Sequence, residues 1–150
     1  MAVATVRAAE LDDLDQIPAM YEWLFDPPGS RPTGWDPKRA AAALGRALSS
    51  DGAVVLVAAS GDRLVGLCTA YEEFESVRFG RRVCVEDLMV HPDHRSGGIG
   101  KQLLREAKRW AKSRGATQLE LNSSDARTGA HRFYERERPS WRSLNFGWEL

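Results

Sequence analysis

The stretch from Val85 to Leu104, VEDLMVHPDHRSGGIGKQLL, constrains this chain more than any other. An apolar, strand-like run enters a loop holding Gly97, Gly98 and Gly100, and an amphipathic helix follows at once. Glycines let a backbone come close to a ligand. The first turn of a helix carries amides without partners and the positive end of the helix dipole. Together these make a phosphate site. Arg95 at the loop entrance and Lys101 in the first turn add positive charge. A Walker A loop needs G-x-x-x-x-G-K-[ST], but here Gln102 follows Gly100-Lys101 and Arg95 stands where the first glycine belongs. A dinucleotide fingerprint needs G-x-G-x-x-G, and Leu103 falls on its third glycine. Neither pattern fits.

Around this loop the chain reads as alternating elements. Thr5 to Ala9 is a short strand. Leu11, Leu14, Ile17, Tyr21, Leu24 and Phe25 recur at helical spacing, with Asp15 as the expected cap and Pro18 in the first turn. A loop dense in Pro and Gly runs from Asp26 to Trp35. Asp36-Pro37 then starts a second helix that reaches about Leu48. Strands are expected from Ala53, over Leu64 to Phe74, and over Arg81 to Val90, with turns at Ser60 to Arg63 and around Glu75 to Gly80. The helix from Ile99 ends at Arg114-Gly115, a basic last turn with a C-terminal glycine. Thr117 to Asn122 is a strand, Asp125 to Glu135 a helix, and a last strand is expected from Trp141. This order predicts an α/β (α+β) domain over 1–150, with a mixed, mostly antiparallel central sheet flanked by helices on both faces.

Composition narrows the function. Lys plus Arg and Asp plus Glu are 21 each, so the chain lacks the broad basic surface of a nucleic-acid binder. No apolar run approaches the roughly 18 residues of a membrane span. The N-terminus lacks a basic region followed by an apolar one, and Cys68 and Cys84 lie in apolar strands as buried free thiols. A cytoplasmic protein is expected.

The pattern Arg95-x-x-Gly98-x-Gly100 resembles the R/Q-x-x-G-x-G/A signature of the GCN5-related N-acetyltransferase (GNAT) superfamily. LMVHPDHR before it, the helix after it and AHRFYE (Ala130 to Glu135) resemble the same family, over about Val85 to Glu135. The closing stretch is similar to small bacterial amine acetyltransferases of the aminoalkylphosphonate and aminoglycoside type. The resemblance implies acetyl-CoA as co-substrate, its pyrophosphate on the amides of Ser96, Gly97, Gly98, Ile99, Gly100 and Lys101, with Arg95 close by. It implies that the preceding strand splays at Leu88, Met89 and Val90 to pair with the pantetheine arm, the amide near Met89 serving as oxyanion donor. Asn122 would reach the pantetheine. Tyr134 would be the acid for the leaving thiolate. Many members carry Asn where this chain has Arg127, an arginine able to reach a phosphate.

Direct transfer to an amine needs a base, because an alkylamine is mostly charged at pH 7. The VED match resembles diamine acetyltransferases with a functional glutamate, which makes Glu86 the first choice and Asp87 its competitor. Neighbouring strand residues point to opposite faces, so only one is expected to face the site. The implied reaction is acetyl transfer to a primary amine of a small molecule. The alternatives are a protein or peptide N-acetyltransferase and a non-catalytic acetyl-CoA-binding module.

Other features read more plainly. His91 and His94 form H-x-x-H on a loop, with too few ligands for zinc, so no metal is expected. Cys84 with His131 lacks an activating context for a nucleophile. Glu72, Glu73 and Glu75 could attract a cationic amine or simply be a solvated hairpin tip. Trp23, Phe25 and Trp35 flank the Pro-rich loop as candidate acceptor walls. Arg138-Pro139 falls where the family has a Gly-aromatic turn, so the last strand is expected to pair irregularly or to exchange with a partner subunit, with Trp141 and Trp148 at the edge of a homodimer.

Overall fold

The computed structural model describes residues 3–150. β1 (Thr5–Ala8) leads into a 3-10 turn (Leu11–Asp15) and two short helices, α1 (Ile17–Met20) and α2 (Glu22–Phe25). The helix expected here therefore breaks at Tyr21. Its N-cap is Gln16 rather than Asp15, with Pro18 in the first turn. Gln16 is committed elsewhere: its Oε1 accepts from the Leu64 amide at 3.1 Å and its side-chain amide donates to the Asp62 carbonyl at 3.0 Å. α3 (Pro37–Leu48) begins as its sequence predicts, with the Asp36 carboxylate accepting from the Lys38 amide at 2.9 Å.

β2 (Ala53–Ser60), β3 (Arg63–Glu72) and β4 (Arg82–Val90) form an antiparallel meander. α4 (Ile99–Ser113) crosses over to β5 (Gln118–Leu121), which pairs parallel with β4, and α5 (Thr128–Arg136) follows. The sheet order is β1-β2-β3-β4-β5. This is the mixed, mostly antiparallel sheet that the element order predicts.

Two apolar cores hold helices on its two faces. Ile99, Leu103, Ala107 and Ala111 of α4 pack on Leu56, Ala58, Val65, Cys68, Ala70, Val83 and Val85. Ile17, Met20 and Leu44 of α1 and α3 pack on Val55, Val57, Leu64, Leu67 and Met89. Gly66 lets α4 lie close on β3: a Cβ there would stand 3.0 Å from Ile99 and Leu103. Both cysteines are buried free thiols, as their apolar surroundings predict.

The strand expected from Trp141 does not form. Residues 141–150 are exposed and belong to no element. α5 ends at Arg136, Arg138 turns at φ +55°, and Pro139 follows. Proline has no N–H to give to a ladder, and the tail reaches no strand edge of its own chain.

Candidate active site

The site forms where β4 and β5 part. Their pairing runs from Arg82–Gln118 to Val85–Leu121 and stops. Beyond it β4 continues to Val90 with β3 on one side only. The gap opens into a cavity of about 160 Å³ lined by Glu86, Asp87, Leu88, Asn122, Arg127 and Tyr134, among others. The splay expected at Leu88 to Val90 thus begins earlier, at Glu86.

A β-bulge explains a second departure. Thr69 stands opposite Asp87 and Ala70 opposite Val85, so Glu86 is the extra residue. The bulge breaks strict alternation, and Glu86 and Asp87 both line the cavity. The expectation that only one could face the site is corrected. Their surroundings differ. Asp87 Oδ2 accepts from the Tyr21 hydroxyl at 2.7 Å and from Thr69 Oγ1 at 3.1 Å. Glu86 has no such donors, and burial and then the Asp87 charge raise its carboxyl above the usual range. Of the two, Glu86 is the carboxylate that no hydroxyl holds.

The open edge of β4 can be read from its bonds. The Asp87 amide donates to Thr69 Oγ1 and the His91 amide to the Val65 carbonyl, both on β3. In an antiparallel ladder these positions alternate, so the Met89 backbone also faces β3, while Leu88 and Val90 face the gap. The amides near Met89 that are free to face the gap are those of Leu88 and Val90. The Met89 side chain is buried against the core beneath α1 and α3.

The Gly-rich loop stands at the end of this edge. Ser96 and Gly98 adopt positive φ, +64° and +85°, and Gly98 is the N-cap of α4. The first intrahelical bond runs from the Gln102 amide to the Gly98 carbonyl, which leaves the Ile99, Gly100 and Lys101 amides ahead of it. The Ile99 side chain is core, and Gly100 lies beside the Phe133 ring. Gly97 is exposed within the loop and Lys101 on the first helical turn. Arg95 donates through Nε to the Val90 carbonyl at 3.0 Å, which joins loop to strand.

Tyr134 enters the cavity from α5. Burial first, and the nearby Cys68 second, push its hydroxyl up to about 12, against the opposing Arg127 charge. Arg127, the N-cap residue of α5, donates to the Leu24 carbonyl at 2.9 Å and ties α5 to α2. Arg127 also lines the cavity. Asn122 follows β5 into the cavity wall, and the neighbouring Ser123 hydroxyl is buried without a hydrogen-bond partner among the described residues.

A model of the acetyltransferase (GNAT) family matches residues 17–138. The chain belongs to this family. It is 33% identical over 88 residues to the uncharacterized N-acetyltransferase YhfO of Bacillus subtilis (strain 168), 59% of each chain. It is 34% identical over 82 residues to streptothricin acetyltransferase of Streptomyces lavendulae, 55% of this chain and 41% of that one. The matched part thus spans less than two thirds of either relative. Among solved structures, the aminoglycoside N-acetyltransferase AAC(6')-Iy in complex with CoA superposes with a TM-score of 0.86 at 16% identity, over 100% of this chain and 96% of that one. That likeness is one of fold.

Acetyl-CoA is the co-substrate of GNAT enzymes, and the residues here fit it. The amides at the start of α4 suit a pyrophosphate. Nothing lies within 4 Å of where a Gly98 Cβ would be, so the loop leaves room. The unpaired edge of β4 suits an amide-bearing arm, and the orphaned Ser123 hydroxyl offers a further polar contact.

Tyr21 was hidden from sequence reasoning. Its spacing marks it as a core residue, and nothing local shows that its hydroxyl meets Asp87. Its ring joins Phe25 and Trp35 in one aromatic cluster, with Trp35 at 5.3 Å. Trp23 leaves that wall and packs edge-on to His91 at 4.9 Å. His91 itself accepts from the Asp93 amide at 3.1 Å, as a cap of the loop turn. Among the described residues no group of three or more His, Cys, Asp or Glu could hold a metal ion. The acidic hairpin is largely paired within the chain, Glu72 with Arg114 and Glu73 with Arg82.

Proposed function

We propose that the chain is an acetyl-CoA-dependent N-acetyltransferase acting on a primary amine of a small molecule, as a single domain, in the cytoplasm and as a homodimer. One observation carries this reading: the gap beyond Val85–Leu121 joins the Gly-rich loop to a cavity holding Glu86 and Tyr134. The names of the relatives support it, since they specify a streptothricin and an aminoglycoside as acceptors. The aromatic cluster of Tyr21, Phe25 and Trp35 beside Asp87 favours a small organic acceptor over a peptide.

Bound in the gap, acetyl-CoA supplies the acetyl group as a thioester. Glu86 takes a proton from the ammonium, directly or through one water, and frees the nitrogen lone pair. As the C–N bond forms, the amides of Leu88 or Val90 donate to the oxygen that gains charge. Tyr134 then gives its proton to the sulfur as the C–S bond breaks; solvent takes the second amine proton and restores Tyr134, and Glu86 releases the first proton to solvent. Asp87, held in place by Tyr21 and Thr69, lines the cavity where the cationic acceptor would enter.

The test is thiol release from acetyl-CoA over a panel of aminoalkylphosphonates, aminoglycosides, polyamines and a peptide amine. Turnover of one small-amine class is expected. Turnover of the peptide alone would replace the small acceptor with a protein one. Binding of acetyl-CoA with no turnover of any amine would make the chain a non-catalytic binder.

A further inference from the structure

Arg127 is half-buried and stands at the N-cap of α5 without capping it. Its side chain reaches α2 instead, where Nη2 donates to the Leu24 carbonyl at 2.9 Å. The Pro-rich loop closes on the same head group. A Cβ at Gly29 would run into the Leu24 carbonyl oxygen and stand 2.7 Å from Arg127 Nη2. Gly29 thus leaves the space that the guanidinium takes, and the head group is held in one place.

A guanidinium carries five N–H groups, so one bond to Leu24 leaves a complete edge of the fork. No carboxylate of the chain takes that edge. Among the described residues Arg127 belongs to no ion pair and makes no other side-chain hydrogen bond. It nevertheless lines the cavity of about 160 Å³ that also holds Glu86 and Asp87. Its charge opposes the upward push that burial gives the Tyr134 hydroxyl, so the guanidinium stands near that acid.

The other residues of this lining are uncharged, and none of the loop residues 95–101 is among them. The guanidinium therefore stands with Glu86 and Tyr134, at the reacting end of the cleft. One small space sets a guanidinium against two carboxylates. An acceptor with an ammonium alone would bring like charge to the guanidinium. An acceptor with an ammonium and a carboxylate meets both sides, its amine at Glu86 and its acid on the fork. The planar fork matches a carboxylate through two parallel bonds.

We infer that Arg127 selects a small amino acid as acceptor, binding the carboxylate of that acceptor through the free edge of its guanidinium. This rests on the acetyl transfer proposed above and narrows its acceptor.

Initial rates on matched acceptors test this. β-Alanine and γ-aminobutyrate have amides, β-alaninamide and γ-aminobutyramide, of the same size and without the acid charge. The parent chain is expected to favour at least one acid over its amide by about tenfold or more in kcat/KM. Arg127→Asn should bring that ratio to about one. Asparagine is a good N-cap and is the residue many family members carry here, so α5 keeps its start. The ratio cancels any loss common to both acceptors. A parent ratio of one or below, or a ratio kept in the folded variant, would overturn the inference. So would a variant that loses both acceptors alike and binds acetyl-CoA at least tenfold more weakly, because the guanidinium would then serve the cofactor.

Product binding separates this inference from the reaction it rests on. N-acetyl-β-alanine and its amide are titrated into the chain saturated with coenzyme A, which needs no turnover. Tighter binding of the acid, lost in Arg127→Asn, supports the carboxylate site even where no amine is acetylated, and the transfer alone then fails. Equal binding of acid and amide, with the amides turned over, overturns the carboxylate site and leaves the transfer standing.

Discussion

Glu86 and Asp87 are adjacent in sequence and differ in what surrounds them. Asp87 is held by two hydroxyls, while Glu86 stands in a bulge with its carboxyl raised by burial and by its neighbour. A base must be ionised to act, so activity should fall as pH drops through the raised value of Glu86. Glu86→Gln should remove that acid limb and lower kcat by about 10²-fold or more. The kcat/KM–pH profile checks this, and an unchanged profile would assign the role to Asp87 or water. Tyr134 lies at about 12 and stays protonated through the neutral range, as an acid should. Tyr134→Phe should lower kcat by about 10²-fold and leave acetyl-CoA affinity within a few fold, by initial rates and direct titration. Sequence made both residues legible through the VED and AHRFYE matches. It hid Tyr21, because a hydroxyl reaching a carboxylate 66 positions away leaves no local signal.

The elements were legible where local chemistry alone sets them. Asp36-Pro37 starts α3 and Gly115 closes the turn after α4, because capping needs only neighbouring residues. The point at which β4 and β5 part was displaced by a few residues, since it depends on where two distant strands stop meeting. The last strand was lost for a related reason: alternation says that a segment suits a sheet, not that an edge lies within reach. Packing between elements makes its own prediction. Gly66 lies under α4 with no space for a side chain, so Gly66→Val should force the helix outward and cost about 1–3 kcal/mol. Denaturant unfolding measures this. Because α4 carries the phosphate loop, acetyl-CoA affinity should weaken with it.

At the scale of the molecule, the fold joins two cores through one sheet, and a charged clasp secures its first edge. Arg7 grips Asp13 through two bonds of 2.7 and 3.0 Å, and the Glu10 amide donates to the same carboxylate at 2.7 Å. Arg7 above all holds the Asp13 carboxyl below the usual carboxylate range, against burial. The clasp therefore stabilises the fold fully above the unfolded carboxylate value, about 3.9, and is lost as pH falls through the lower folded value. Asp13→Asn should cost about 1.5–3 kcal/mol near neutrality. Thermal unfolding across pH should show the gap between parent and variant closing below about pH 4.

The central claim is that the cleft between β4 and β5, ending at the Gly-rich loop, receives acetyl-CoA. Calorimetric titration of acetyl-CoA into the parent chain and into Gly98→Trp tests it most directly. The indole would fill the open space beside the Gly98 amide and strain a residue at φ +85°. One site per chain in the parent, and at least a tenfold loss in the folded variant, is the expected result. No binding by the parent, or full affinity in the variant, would contradict it.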